Sequence, residues 1–240
     1  FDGIDPSMLR LPSVDAAGFD VRVQEDTSRD AEVFHTTEAV DWMAVSGPGF
    51  VTGTAAAQIG EVLAVELNHV PVTLDFSATY DNPVVFAQGP SFRGGDAAAV
   101  RLREVTGDSV TLSLQEPDSL DGFHAREAVT VFVVEAGTHM LADGTTIEAG
   151  TLESSRLSPQ GFEQVTFATD FGERPAILSQ IQTYNGVDFA VTRQAGADAD
   201  GVRLTMQEEE AKNGGFHASE TLGWVAISEG SGTWSGLDWE

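Results

Sequence analysis

Three His-x-x-Glu pairs recur along the chain with the same neighbours. Phe34-His35-Thr36-Thr37-Glu38 returns as Phe123-His124-Ala125-Arg126-Glu127 and again as Phe216-His217-Ala218-Ser219-Glu220. A His and a Glu three residues apart can share a metal, pass a proton or hydrogen-bond a ligand hydroxyl. On an extended strand, however, positions i and i+3 face opposite ways. The plainer reading is a His that caps its loop by hydrogen bonding and a Glu that opens the following strand. In the bolder reading His35, His124 and His217 contribute to a ligand site.

Two more residue sets recur with the histidines. Arg10, Arg101 and Arg193 occupy one matching position in a chain with only 12 basic residues. Each either pairs with a carboxylate across its sheet, which is worth little if exposed, or offers its fork to sugar hydroxyls or a carboxylate. Ahead of each His runs Gln-Glu and an acidic loop. Its hard oxygens suit Ca²⁺, which takes about 6–8 of them. The candidate ligands are Glu25, Asp26 and Asp30, then Glu116, Asp118 and Asp121, then Glu208, Glu209 and Glu210. Their spacing fits no EF-hand loop, and the alternative is a solvated acidic loop. The Asp of each Gly-x-Asp stretch, Asp5, Asp96 and Asp188, reads as a turn residue.

The elements that must position these residues repeat too, at a period of about 90 residues, too long for a solenoid unit and suited to one small β domain per repeat. Val72-Thr73-Leu74-Asp75-Phe76 matches Val165-Thr166-Phe167-Ala168-Thr169, alternating as a half-buried strand does. Asn82-Pro83-Val84-Val85-Phe86 matches Arg174-Pro175-Ala176-Ile177-Leu178. Strands holding Arg101 and Arg193, then Leu112 and Leu204, then Val131 and Trp224 complete each unit. Five or six short strands with turn signals between them predict an antiparallel β-sandwich, and no stretch of useful length carries a helical period. The ambiguous stretch Ala55 to Leu67 reads as linker running into a strand.

Phe1-Asp2-Gly3-Ile4-Asp5 matches Phe92-Arg93-Gly94-Gly95-Asp96, so copy one opens mid-module, without its leading strands. Half a sandwich exposes its core and an unpaired edge. The expectation is that the missing strands lie upstream in a longer polypeptide, or that a neighbouring chain donates them. The division this predicts is 1–47, the C-terminal part of a first sandwich; 48–71, a connector; 72–137, a second sandwich; 138–164, a connector; 165–231, a third sandwich; and 232–240, the start of a further connector or tail. The connectors are expected to form strands of their own, and Trp234 and Trp239 in the tail need burial.

With 38 acidic residues the net charge is −26, which makes nucleic acid and anionic membranes poor partners. It also suits solubility in a salty medium. The absence of cysteine excludes disulfides and thiolate chemistry. No run of about 18 apolar residues exists to span a membrane. Nucleophile-elbow, P-loop and zinc-protease motifs are missing, so no enzyme is expected.

Val165-Thr166-Phe167-Ala168-Thr169, Arg174-Pro175-Ala176-Ile177-Leu178 and Gly223-Trp224-Val225-Ala226-Ile227-Ser228 resemble the module of H-type lectins, the family of the snail agglutinin and the discoidin C-terminal domain. The resemblance implies a six-stranded antiparallel sandwich that assembles as trimers and binds galactose-type sugars near subunit contacts. It places a sugar-touching Arg at Arg10, Arg101 and Arg193. The family's aromatic–His pair follows its fourth strand; here that loop is acidic, the aromatic platform reads as lost, and His falls later. Together these readings predict an all-β chain of tandem lectin-like sandwiches, extracellular or at the cell surface, for adhesion or glycan recognition. The alternative is a structural segment of a surface filament or matrix with no sugar site, assembled by strand complementation. The partners expected are surface glycans or copies of itself as a homo-oligomer or filament, without membrane insertion, and the one cofactor in view is Ca²⁺. A closed pseudo-trimer and a linear string are both open.

Overall fold

The computed structural model describes residues 2–54 and 57–240. Among them the chain is all-β, as its alternating patterns predict, and every named strand pairing is antiparallel. Copy one holds β1 (Ser7–Asp15) and β2 (Gly18–Glu25), a two-stranded hairpin. Copy two holds β3 (Gly49–Thr52), β4 (Gln58–Leu67), β5 (Val72–Asp75), β6 (Pro83–Phe86), β7 (Ala99–Val105), β8 (Ser109–Gln115) and β9 (Glu127–Glu135). They form a four-stranded sheet, β3-β4-β9-β6, over a three-stranded one, β5-β8-β7.

Copy three repeats this layout. Its strands are β10 (Gly137–Met140), β11 (Thr146–Ser154), β12 (Glu163–Thr166), β13 (Ala176–Ile181), β14 (Ala190–Ala195), β15 (Gly201–Glu208) and β16 (Glu220–Ile227). The sheets are β10-β11-β16-β13 and β12-β15-β14. Each complete copy thus has seven strands where the resemblance implies six. The extra ones come from the stretches read as connectors. Residues 48–71 supply β3 and β4, and 138–164 supply β11 and most of β10, all in the same sheet as the closing strand. Ala55 and Ala56, part of the ambiguous stretch, lie outside the described residues; from Gln58 onward it is strand.

Alternation builds the cores. In copy two Leu67, Val85, Leu102, Leu112 and Val131 point between the sheets. In copy three Val165, Ile177, Leu204, Leu222 and Trp224 do the same. A further core is shared between copies: Phe86, Phe132, Ile147 and Val225 pack with Trp234 and Trp239 of the tail. Burial of such side chains contributes roughly 1.5–3 kcal/mol each. The tail is the hairpin β17 (Gly232–Trp234) and β18 (Leu237–Trp239). Its tryptophans are 2% and 7% exposed, which settles the burial they need. Copy one's own closing segment, Glu38–Val45, forms no regular strand in the structure beyond a bridge from Val45 to Trp239.

Candidate functional site

The three Arg–His–Glu sets come together as joints between copies. Each His follows the loop after its acidic strand end, and its Nδ1 meets the Glu at or one residue past that end. The distances are 2.7 Å for His35 to Glu25, 2.7 Å for His124 to Glu116 and 2.5 Å for His217 to Glu208. The chain bends between His and the Glu three residues on, because His lies in the loop and that Glu begins the closing strand. Nε2 therefore faces Glu38, Glu127 or Glu220 at 3.2, 3.2 and 3.4 Å. The opposite-faces expectation fails for this reason: the strand starts only at the Glu.

The third partner arrives from another copy. Arg10 of copy one donates to Glu127 of copy two at 2.7 Å. Arg101 of copy two donates to Glu220 of copy three at 3.0 Å. Arg193 of copy three donates to Glu38 of copy one at 2.5 Å. The sequence of joints closes on itself, so the three copies form a pseudo-threefold ring rather than a line. On that axis Met8, Ala99 and Val191, which hold one position in the repeat, pack in a small cluster capped by Ala97 and Phe189.

These arginines do not present their forks to solvent. Arg10 and Arg101 are fully buried. Arg10 also donates to the carbonyls of Ser91, Gly94 and Asp96, and Arg101 to those of Thr183 and Gly186. Glu220 additionally accepts from the backbone N–H groups of Asn185 and Gly186 and from the Thr183 hydroxyl. Burial alone would raise its pKa, but these bonds and His217 outweigh burial and bring it down to about 2. Burial likewise opposes charge on His217, yet hydrogen bonds to Glu208 and Glu220 push it up to about 9. His217 is thus an imidazolium locked between two carboxylates at neutral pH.

The Gly-x-Asp stretches serve the same joint. A Cβ on Gly3, Gly94 or Gly186 would stand 2.6, 2.9 or 2.5 Å from the ring of His35, His124 or His217. Glycine is required there for close approach of the imidazole.

The acidic loops meet around the axis and also bind copy to copy. Glu209 accepts from the Asp118 N–H at 2.6 Å, and Asp26 from the Glu210 N–H at 2.5 Å. At the corresponding place copy two has Pro117, which carries no carboxylate. Lys212, the one lysine, pairs with Asp118 of copy two and lies 2.6 Å from Asp188 of copy three. Its ammonium is thus a resident cation at that joint.

Among the described residues, two clusters bring three ligand atoms within 4.8 Å of one another: Asp188, Glu208 and His217, and Asp5, Glu25 and Glu32. Asp188, Asp5 and Glu32 are not among the candidate ligands read from the sequence, because only the fold brings the turn Asp to the acidic strand end. Neither set reaches the six to eight oxygens of a calcium site. Glu208 and Glu25 are already engaged by histidine. Asp30 and Asp121 instead cap their own loops, accepting from the N–H groups of Glu32 and Phe123.

An aromatic residue stands in the loop between each acidic strand end and its histidine. Phe34, Phe123 and Phe216 immediately precede the histidines and are 81, 69 and 84% exposed.

No family model matches the chain, and no solved structure gives a significant match. A curated protein named halomucin, from Haloquadratum walsbyi, is 24% identical over 223 residues. The match covers 90% of this chain and only 2% of the relative's length.

Proposed function

We propose that the chain is a non-enzymatic building block of an extracellular surface or matrix polypeptide, its three lectin-like copies clamped into one block. The observation that carries this reading is the ring of Arg–Glu–His joints. The residues best suited to ligand chemistry are spent on holding copies together, at 0–1% side-chain exposure in two of the three joints. The likeness to a stretch of halomucin supports a place in a much longer polypeptide. The charge of −26 keeps such a block soluble and away from anionic lipids. The test is antibody labelling of intact against permeabilised source cells, paired with calorimetry of the purified chain. Labelling of intact cells and a single cooperative transition are expected. Signal only after permeabilisation rejects the surface role, and separate transitions reject the block.

A second reading, glycan recognition, is favoured by one observation: the exposed phenyl rings of Phe34, Phe123 and Phe216 at equivalent places on the ring. Aromatic faces offer stacking surfaces, and three weak sites on one block would gain avidity. Glycan-array binding that is lost in a Phe34→Ala/Phe123→Ala/Phe216→Ala variant is the expected signature. A silent array with the unmodified chain rejects it.

A further inference from the structure

Copy one differs from its siblings in what its inner face meets. Leu112 and Leu204 are completely buried in copies two and three, while Val21, at the same position of β2, is 43% exposed. In copy two Leu112 shares its core with Leu67 of β4, Phe76 just after β5 and Val85 of β6. In copy three Leu204 shares its core with Val165 and Phe167, in and just after β12, and Ile177 of β13. In copy one the corresponding space is a groove of 1210 Å³ between Leu9, Val21, Val40 and Trp42 on one side and Phe86 and Ile177 on the other.

The tail hairpin shows how that space is entered. β18 pairs with copy one's closing segment as β4 pairs with β9 and β11 with β16. Val45 lies opposite Trp239, as Val134 lies opposite Gly60 and Ile227 opposite Ile147. One residue on, Ala44 and Glu240 exchange both backbone hydrogen bonds. Glu240 therefore holds the place of Glu61 and Glu148. Both of those carboxylates are fully engaged. Glu61 accepts from the Ser77 N–H and the Tyr80 hydroxyl, and Glu148 from the N–H groups of Ala168 and Thr169. In each complete copy they anchor the turn between the fifth-strand position and the Pro-led strand. Glu240 is exposed.

We propose that the groove of copy one is the seat of a segment with the pattern of residues 62–91, entering as the direct continuation of the Leu237–Glu240 strand, with the Glu240 carboxylate anchoring its turn. Such a segment would supply the remainder of a β4-like strand along Glu38–Val45, a β5-like strand beside β2, and a Pro-led strand like β6 and β13. Its chemistry follows from its two siblings: an apolar strand, a turn offering free N–H groups to Glu240, then Pro and a short apolar run. The inference rests on the block reading above and names what completes the block.

The experiment extends the full chain at Glu240 with a second copy of residues 62–91, and compares it with the same extension in scrambled order. Amide exchange is read at 19–23 and 39–44. The native-order extension is expected to slow exchange there about tenfold or more and to bury Trp42, and Glu240→Gln is expected to remove most of that protection. Equal exchange in the native-order and scrambled chains overturns the proposal. Protection of the same residues in the unextended chain that grows with concentration also overturns it, since a second copy would then be the occupant. Neither result bears on surface labelling or on the single calorimetric transition, so the block reading stands or falls separately.

Discussion

Arg101 of copy two reaches Glu220 of copy three at 3.0 Å, with both side chains sealed from solvent, and Glu220 in turn holds His217. A guanidinium from one module thus completes the charge balance of another module's imidazolium and two carboxylates. Separating the modules strips Glu220 of its guanidinium partner in a buried site, which is how the ring resists opening.

Removing the guanidinium is expected to be severe. Arg101→Met leaves Glu220 without its cross-copy partner, and breaking a buried pair costs about 3–5 kcal/mol. Glu220→Gln keeps the shape but leaves both Arg101 and His217 as buried cations without that carboxylate, so it should cost at least as much. A double-mutant cycle read by urea unfolding should return a coupling of about 0.5–3 kcal/mol. Additive losses would mean the pair does not hold the joint.

The joint has its own pH window. His217 is raised from 6.5 to about 9, so its contribution is full below pH 6.5 and is lost as the pH climbs through 9. Glu220 is lowered from 4.5 to about 2, so its contribution is full above pH 4.5 and is lost on descent toward 2. Melting temperature should therefore fall on the alkaline side between pH 6.5 and 9. A His217→Gln variant should melt lower and show a flatter alkaline limb; an unchanged slope would place the titration elsewhere.

Gly186→Ala puts a methyl group 2.5 Å from the His217 ring. Overpacking of this kind costs about 1–3 kcal/mol. Gly95→Ala is the control, since its Cβ would meet nothing within 4 Å. Thermal melts of the two variants should differ clearly, and equal melts would show that the imidazole can move aside.

The acidic loops should make the protein salt-loving. Burial and the nearby carboxylates of Asp118 and Asp26 raise Glu209, and burial with Asp30 and Asp5 raises Glu210. These carboxylates repel one another across the copies, and salt screens that repulsion. Raising NaCl from 0.1 to about 1 M should raise the melting temperature. At matched ionic strength EDTA should change little, because Glu25, Glu116 and Glu208 are held by histidine. A clear drop with EDTA would restore a calcium site.

Alternation and the repeat make the strands legible: Leu112 and Leu204, or Val131 and Trp224, carry a period of two that leaves little choice. The stretches that read as connectors are harder, because β3, β10 and β17 are three or four residues long; β3 and β17 gain their order from the shared core around Phe132, and β10 from pairing with β11. Arg10, Arg101 and Arg193 stand out by position. Their partners cannot be read, since each acceptor lies in a different copy, more than a hundred residues away. The bend between His and Glu is likewise invisible, depending on where the strand begins. The exposed phenylalanines are in plain view, but in the sequence they merge with the closing strand.

The bridge from Val45 to Trp239 joins the first and last parts of the chain within copy one. A pull transmitted along the backbone therefore enters and leaves through the same copy. Trp239 also donates to Asp143 of copy three and packs in the core around Phe132 of copy two, so the last strand is a rivet through all three copies: loosening it loosens each of them.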